Sequence, residues 1–529
     1  MGPDYQLLIK NILLTPVVWN PDQEIVYKGE RRFTYAQFHA RVRKLANALT
    51  AMGVKKGDTV AVMDYDSHRY LECYFAVPMI GAIIHTINIR LSPEQMLYTI
   101  EHAEDDVILV HHDFLPLLDQ IKGRISGVRE YVILHEDTQC EYEALLEGQS
   151  DRFEFEDFDE ETVATTFYTT GTTGMPKGVY FTHRQLVLHT LGGIAALATP
   201  KTQGRFHRED VYMPITPMFH VHAWGLPYVA TMMGVKQVYP GRYIPDALIE
   251  LLDKEQVTFS HCVPTILHML LASPKIENVD LSNWKVVIGG SALPKALAMA
   301  ALERGIDVYT GYGMSETCPL LSLAQLDEEQ LALDLEAQAD IRVKTGRPIG
   351  LVEMKLVDEE MHEVPSDGEH TGEIVARSPW LTKGYLKDRK NSEQLWRGGY
   401  LHTGDIATRD ADGYFKITDR AKDIIKVSGE WVSSLELEDI IGQHGDVSEV
   451  AVIGVPHEKW GEVPLGLVVP REGATVTPRD IEQFTRDFIK KGIMARETML
   501  LSIRIVDAID KTSVGKVNKK ALRERYAEA

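Results

Sequence analysis

Cysteine is scarce in this 529-residue chain: Cys73, Cys140, Cys262 and Cys318 stand far apart, with no CxxC pair among them. That spacing supplies neither a disulfide framework nor a zinc site, and it fits a reducing compartment. The four are expected to be isolated core or loop thiols. Long hydrophobic runs are missing too. No stretch of about 18 apolar residues occurs, and the opening MGPDYQLLIKN lacks a basic stretch followed by an apolar one, so neither a spanning helix nor a secretory leader is expected. Positive charge is in deficit, with 56 Lys and Arg against 77 Asp and Glu and a net charge of -21. An acidic surface repels nucleic acid and anionic membranes, so neither is an expected partner. A polyanionic ligand must be gripped by local donors, and the expected location is cytoplasmic.

What is present is ample apolar material, 44% of the residues, in a chain too long for one core. Short β-rich runs such as Thr59 to Met63, Val107 to Val110 and Glu130 to Leu134 alternate with helical patterns such as Tyr35 to Met52. The alternation continues across the first 310 residues and predicts α/β layers with mainly parallel strands. The run Trp284 to Ile288 leads into Gly289-Gly290-Ser291, a strand followed by a glycine turn, where open α/β sheets tend to place ligands. The acidic stretch Phe153 to Glu161 reads as a surface connection, and Leu323 to Asp340 as a surface helix or helical insertion rather than an active element. Strands at Glu353 to Val357 and Gly372 to Ala376 suggest a β-rich subdomain. The last hundred or so residues, with strands at Val450 to Val455 and Leu465 to Val469, read as a small α+β unit. The expected architecture is α/β: a large N-terminal domain, 1–420, of two α/β sheet layers plus a β-rich subdomain, and a small mobile α+β C-terminal domain, 421–529.

The segment Tyr168 to Gly178, YTTGTTGMPKG, packs hydroxyls, glycines and Lys177 together. Glycine lets the backbone approach an anion, hydroxyls donate hydrogen bonds and the lysine adds charge, so this is a phosphate-gripping loop by composition. It is not a Walker A loop, because Gly178 follows the lysine where Ser or Thr is required. A second loop, Tyr309 to Thr317, carries Tyr312, which can stack on a flat base, Ser315, which can hold a phosphate oxygen, and Glu316, a carboxylate suited to Mg²⁺. Further along come His402-Thr403-Gly404-Asp405, Asp419 to Lys426, and Lys511 to Lys516. An Asp after a Thr-Gly turn can accept ribose hydroxyls, and a following Arg can bridge ribose and phosphate.

Taken in order, YTTGTTGMPKG, GYGMSET, HTGD, DRAKDIIK and TSVGK resemble the motifs of the adenylate-forming (AMP-binding) superfamily of acyl- and aryl-CoA synthetases, adenylation domains and beetle luciferases. Segments such as Gly53 to Val60 and Ile80 to Ile84 extend the resemblance over nearly the whole chain. Pro217 to Trp224 and Val427 to Ser434 look like the medium- and long-chain fatty acyl-CoA synthetase branch. The departures are small: Thr170 stands where Ser is common, Ser315 where Thr is usual and Tyr400 where Trp is frequent.

The resemblance implies the following roles. Thr169, Thr170, Gly171, Thr172, Thr173, Gly174 and Lys177 would hold the β- and γ-phosphates of ATP. Glu316, with Thr169, would bind Mg²⁺, and Ser315 would contact the α-phosphate. Gly289, Gly290, Ser291, Ala292, Gly311, Tyr312 and Gly313 would frame adenine, while Asp405 and Arg420 grip the ribose. Trp224 would gate an acyl pocket lined also by His220, Val263, Gly290 and Gly311. His220 and His222 could pair on a metal, but no third ligand is evident, and packing in the substrate pocket is preferred. Lys516 would reach in from the small domain as a catalytic cation, charged without special tuning at its ordinary pKa near 10.4. Lys422 would be the hinge that turns Lys426, Gly429, Glu430 and Trp431 toward coenzyme A.

The implied reaction is ATP-dependent activation of a carboxylic acid to acyl-AMP with pyrophosphate release, then transfer to coenzyme A. A medium- to long-chain fatty acid is favoured over a short-chain, sulfur-containing or aryl acid. A non-catalytic acyl-adenylate sensor would be expected to lack Lys516, Asp405 or Arg420, and all three are present. A peptide-synthetase module would normally be followed by a carrier domain, yet the sequence stops at Ala529. ATP, Mg²⁺ and coenzyme A are the expected cofactor and co-substrates, and a homodimer is the expected assembly by family analogy.

Overall fold

The computed structural model describes residues 4–136, 139–169, 175–420, 422–427, 430–457, 459–490, 496–512 and 516–526. Two sheets dominate the first 350 residues. The six-stranded one runs Glu130–Leu134, Asp105–His111, Thr59–Met63, Ile83–Thr86, Val163–Thr169, Lys177–Thr182. All its neighbours are parallel except the last pair, a hairpin in which Thr169 faces Lys177. The nine-stranded sheet has a parallel centre, with Asp307–Gly313, Lys285–Ile288, Phe259–Cys262 and Val211–Pro214 as consecutive neighbours. Antiparallel strands close both of its edges.

Strands covered on both faces must be apolar throughout, and Thr59–Met63 is buried at every position. The helix His68–Met79 is likewise buried on all sides, because it lies between the two sheets and touches strands of each. A helix with no solvent face cannot be amphipathic, so its pattern TYR-LEU-GLU-CYS-TYR-PHE signals little by period. Its one carboxylate, Glu72, is matched by Arg41 at 2.6 Å and by the Tyr142 hydroxyl at 2.5 Å. Helix starts are set locally: Thr34 with Gln37, Ser92 with Gln95 and Thr182 with Gln185 form capping boxes.

A third, antiparallel sheet contains Glu353–Val357, Gly372–Arg377, Tyr400–Arg409, Trp396–Arg397 and Phe415–Arg420. Beyond it a separate sheet is built on the long hairpin Val447–His457 and Gly461–Pro470, flanked by Ile425–Val427, Glu430–Val432 and the parallel strand Ser502–Ile505. Helices Ser434–Gly442, Pro478–Lys490 and Lys519–Tyr526 accompany it, and it has apolar cores of its own, one around Ile425, Leu437 and Val468. All four cysteines are free and buried.

One sequence expectation, a surface helix or a helical insertion over 323–340, resolves to the second form. Residues 323–340 do not form one surface helix: Leu323 ends the strand Leu320–Leu323, and two short helices, Glu328–Leu331 and Leu335–Arg342, follow. Asp334 interrupts them by capping the second, accepting from the Ala337 N–H at 2.8 Å. The segment also has an inner side, with Ala339 buried and Arg342 paired to Asp307 at 2.5 Å.

Candidate active site

Four neighbouring parallel strands of the nine-stranded sheet deliver the chemistry-bearing segments to one edge. Val211–Pro214 leads to His220, Phe259–Cys262 to Val263, Lys285–Ile288 to Gly289 and Gly290, and Asp307–Gly313 to Ser315 and Glu316. Segments far apart in sequence thus converge at the carboxyl ends of the strands. There a narrow cavity of about 50 Å³ is lined by His220, Trp224, Gly290, Gly311, Tyr312, Gly313, Ser315 and Lys516 together with apolar side chains that include Leu197, Leu226, Val287 and Leu323.

The turn that carries Trp224 is unusual. Val221, His222, Ala223 and Trp224 all have positive φ, from 47° to 60°, and Gly225 follows at 72°. Left-handed backbone costs a side-chain-bearing residue about 1–2 kcal/mol, so a run of four must be held by its surroundings. His222 is the anchor, fully buried with Nε2 2.7 Å from the Thr165 hydroxyl and its ring among Tyr74, Phe167 and Tyr228. His222 therefore packs in the core behind the cavity wall, and only His220 of that pair lines the cavity, which corrects the expectation that both pack in the pocket. Trp224 lies against His261, ring centroids 5.0 Å apart, and over Gly289 and Gly290. A Cβ on Gly289 would come within 2.8 Å of the Gly311 carbonyl oxygen and 3.0 Å of the Trp224 ring. On Gly290, at φ +81°, it would meet Val263 at 3.1 Å. Val263 thus buttresses Gly290 from behind and is not itself among the lining residues. Ser291 and Ala292 are exposed past the cavity and do not line it.

At the other end Asp405 is the hub. It sits on Tyr400–Arg409 directly opposite Arg420 on Phe415–Arg420, and the register alone makes the pair: Arg420 Nε lies 2.7 Å from Asp405 Oδ1. The Tyr312 hydroxyl donates to the other carboxylate oxygen at 2.6 Å. Burial, then the neighbouring Asp405 charge, push the Tyr312 pKa well up, so that hydroxyl stays a donor. Thr403 fixes the turn, its hydroxyl donating to Ile374 O and accepting from the Asp405 N–H. His402 points elsewhere, to Glu373 at 2.8 Å.

Glu316 is buried and accepts from the Tyr385 hydroxyl at 2.7 Å through Oε1; the Lys177 ammonium lies 4.7 Å from the centre of the Tyr385 ring. Tyr385 thereby links the hairpin base, Thr169 and Lys177, to the Ser315-Glu316 loop. Sequence reasoning missed it, since one tyrosine after Gly384 carries no local signal. The apolar cavity wall was missed too, apart from Trp224. Thr170, Gly171, Thr172, Thr173, Gly174 and Gly429 lie outside the described residues, as do the side chains of Glu430 and Trp431. Lys422 and Lys426 are exposed beyond the Asp405–Arg420 pair.

Lys516, from the C-terminal unit, completes the cavity wall beside Gly290. Its ordinary pKa was the expectation, and the structure overturns it. The side chain is half-buried, with part of it facing the cavity. Burial, and next the Arg420 charge, lower its pKa to about 8. His220 is lowered to about 3 by burial and then by Lys516, so its imidazole is neutral at pH 7. The donor set near Glu316 is all oxygen, a carboxylate and hydroxyls, which suits Mg²⁺ shared with phosphate oxygens.

The sequence profile of the AMP-binding enzymes matches residues 17–386, and that of the AMP-binding enzyme C-terminal domain matches residues 436–516. A long-chain-fatty-acid–CoA ligase of Thermus thermophilus is 40% identical over 505 residues, covering 95% of this chain and 92% of that protein. A 3-methylmercaptopropionyl-CoA ligase of Ruegeria lacuscaerulensis is 37% identical over 516 residues, covering 94% and 92%. Among solved structures, an anthranilate CoA ligase in complex with anthranoyl-AMP superposes with a TM-score of 0.87 at 25% identity, covering 99% of this chain and 98% of that one. No described helix is long and apolar enough to cross a membrane. Two family profiles spanning both parts of the chain, full-length relatives and a matching fold agree: the chain belongs to the AMP-binding enzyme family.

Proposed function

We propose that the acid activated in this cavity is a medium- to long-chain fatty acid, that Lys516, His220, Ser315 and Glu316 carry its adenylation, and that the chain divides into 1–420 and 421–529 with a hinge at Lys422. The protein is an AMP-forming acid–CoA ligase. A carboxylate oxygen attacks the α-phosphorus of ATP, the bond to the bridging oxygen breaks and pyrophosphate leaves; the thiol sulfur of coenzyme A then attacks the acyl carbon and AMP departs with the electron pair of the broken C–O bond. The first step brings two anions together, so positioning and charge neutralisation govern its rate.

The observation that carries the reading is Lys516 of the small unit standing in one cavity with His220, Trp224 and Ser315, beside the Asp405–Arg420–Tyr312 cluster. The Lys516 ammonium would meet both the carboxylate and the α-phosphate. Neutral His220 can offer an N–H to the acid without adding charge. Asp405 can accept from the ribose and Arg420 can bridge to phosphate. Lys177 and Thr169 to Gly174 would receive the pyrophosphate end. Glu316 and Thr169 would hold Mg²⁺, which would neutralise phosphate charge there. Apolar Leu197, Leu226 and Leu323 favour an aliphatic chain, with Trp224 as the gate. A shorter or sulfur-containing acid is the second reading, favoured by the small cavity volume of about 50 Å³. We further place the protein in the cytoplasm as a homodimer.

Pyrophosphate release from ATP over a panel of acids, with and without coenzyme A, decides the matter. The highest kcat/KM is expected for saturated fatty acids from octanoate to palmitate. A higher value for methylthiopropionate, butyrate or benzoate would overturn the acid assignment, and release with no acid in the panel would overturn the adenylation sites.

A further inference from the structure

Away from the cavity, at the carboxyl ends of the adjacent strands Asp105–His111 and Glu130–Leu134, three imidazoles and two carboxylates meet. His111 pairs in register with Leu134, which brings His112 and Asp113 beside His135 and Glu136. The rings lie in a row, tilted to one another by 40° and 36°, with centroids 4.5 Å apart for His111 and His112 and 4.0 Å apart for His112 and His135. His112 Nε2 lies 3.2 Å from Asp113 Oδ1, and His111 Nδ1 lies 3.9 Å from Asp113 Oδ2. One donor atom each from His111, His112 and Asp113 falls within 4.8 Å of the others. Ligands about 2.0–2.1 Å from a tetrahedral ion stand roughly 3.3 Å apart, so small side-chain rotations close the triangle.

We propose that His111, His112 and Asp113 form a binding site for a borderline divalent transition-metal ion, of the chemistry of Zn²⁺, separate from the nucleotide and acid site. His111 is 1% exposed; its Nε2 lies 3.5 Å from Glu136 Oε1, an outer carboxylate partner, while its Nδ1 faces Asp113. Nδ1 accepts only weakly, from the Asp113 N–H at 3.3 Å, and an ion bound in the ring plane at Nδ1 replaces that bond. His112 and Asp113 are more than one-third exposed, which gives an ion an entry path. The Tyr65 hydroxyl donates to Asp113 Oδ2 at 3.2 Å and orients that carboxylate, as outer partners of metal ligands do. The nearby cation Lys28 is paired with Glu136 at 3.0 Å and so is neutralised. Two imidazoles with one carboxylate select Zn²⁺, Ni²⁺ or Co²⁺ over Mg²⁺ or Ca²⁺.

A second group, Asp358, Glu360 and His362, is wholly exposed, and Asp358 already accepts from the backbone N–H of Glu360 and of His362. It serves as the control. Untagged, chelator-treated full-length protein, free of ATP and Mg²⁺, is dialysed against Zn²⁺, and Co²⁺ is used to read visible absorption. The wild type is expected to hold one equivalent of Zn²⁺ that His112→Ala and Asp113→Ala bind at least tenfold more weakly, with the Co²⁺ absorption lost in both, while His362→Ala behaves as wild type. Absence of bound Zn²⁺ in the wild type, undiminished binding in His112→Ala and Asp113→Ala, or loss of the equivalent in His362→Ala would each overturn the proposal.

Discussion

Lys516 offers a quantitative handle because burial, reinforced by Arg420, sets its pKa to about 8. The ammonium is the acid form, so lowering the pKa means charge is lost as pH rises through that value. About 90% of the free enzyme carries the cation at pH 7 and about 10% at pH 9. If adenylation requires the ammonium, kcat/KM for pyrophosphate release is level below about pH 7 and falls nearly tenfold per unit above about pH 8.5. In the ATP complex the phosphate charges stabilise the ammonium, so the inflection in kcat lies higher than that in kcat/KM. Lys516→Arg, charged throughout, removes the inflection. Lys516→Ala loses the contact outright, a cost of about 2.7–4 kcal/mol or 10²- to 10³-fold in adenylation, yet leaves thioester formation from supplied acyl-adenylate intact. The assay is pyrophosphate release against pH for the three proteins, with the thioester half-reaction measured separately. A flat kcat/KM profile from about pH 7 to 9.5, or equal loss of both half-reactions in Lys516→Ala, would refute the reasoning.

Asp405→Asn weakens the bonds from Arg420 and Tyr312 at a buried position, and a rise in the KM for ATP worth about 1.5–3 kcal/mol is expected; an unchanged KM in the same release assay counts against the ribose assignment. Tyr385→Phe deletes the 2.7 Å bond to Glu316 and should lower adenylation about 5- to 30-fold, with a raised Mg²⁺ requirement in a metal titration and the thioester step untouched. Gly290→Ala places a Cβ 3.1 Å from Val263 at a left-handed position, so turnover of long acids should fall more than that of short ones across the acid panel; a uniform loss would remove Gly290 from the acyl wall. Lys422→Pro locks φ at the proposed hinge and should keep adenylation while losing thioester formation, and unimpaired coenzyme A turnover would refute the hinge.

The parts of the fold legible in sequence are those written in local patterns. Thr59–Met63 and Glu130–Leu134 are continuous β-rich runs between turns, and the strands lie at those residues. The run 323–340 left one helix and a helical insertion open because apolar and acidic residues at helical spacing look alike on either side of Asp334, whereas the break depends on one capping bond. At the site, residues grouped in glycine-rich loops could be named, because a loop dense in hydroxyls and charge has few other uses. Tyr385 could not, since its partner Glu316 is 69 residues away and only the sheets bring the two together. Lys516 shows the deeper limit. Its identity and place near the end of the chain were readable, but its acidity was not. The shift arises from depth and from Arg420, and Arg420 is where it is because Phe415–Arg420 pairs in register with Tyr400–Arg409. A residue's type follows from its codon, but its pKa is a property of the tertiary field around it. The same separation explains the His111–His112–Asp113 cluster. His111 ends a strand and His112 and Asp113 follow it, and only the neighbouring strand sets His135 against them.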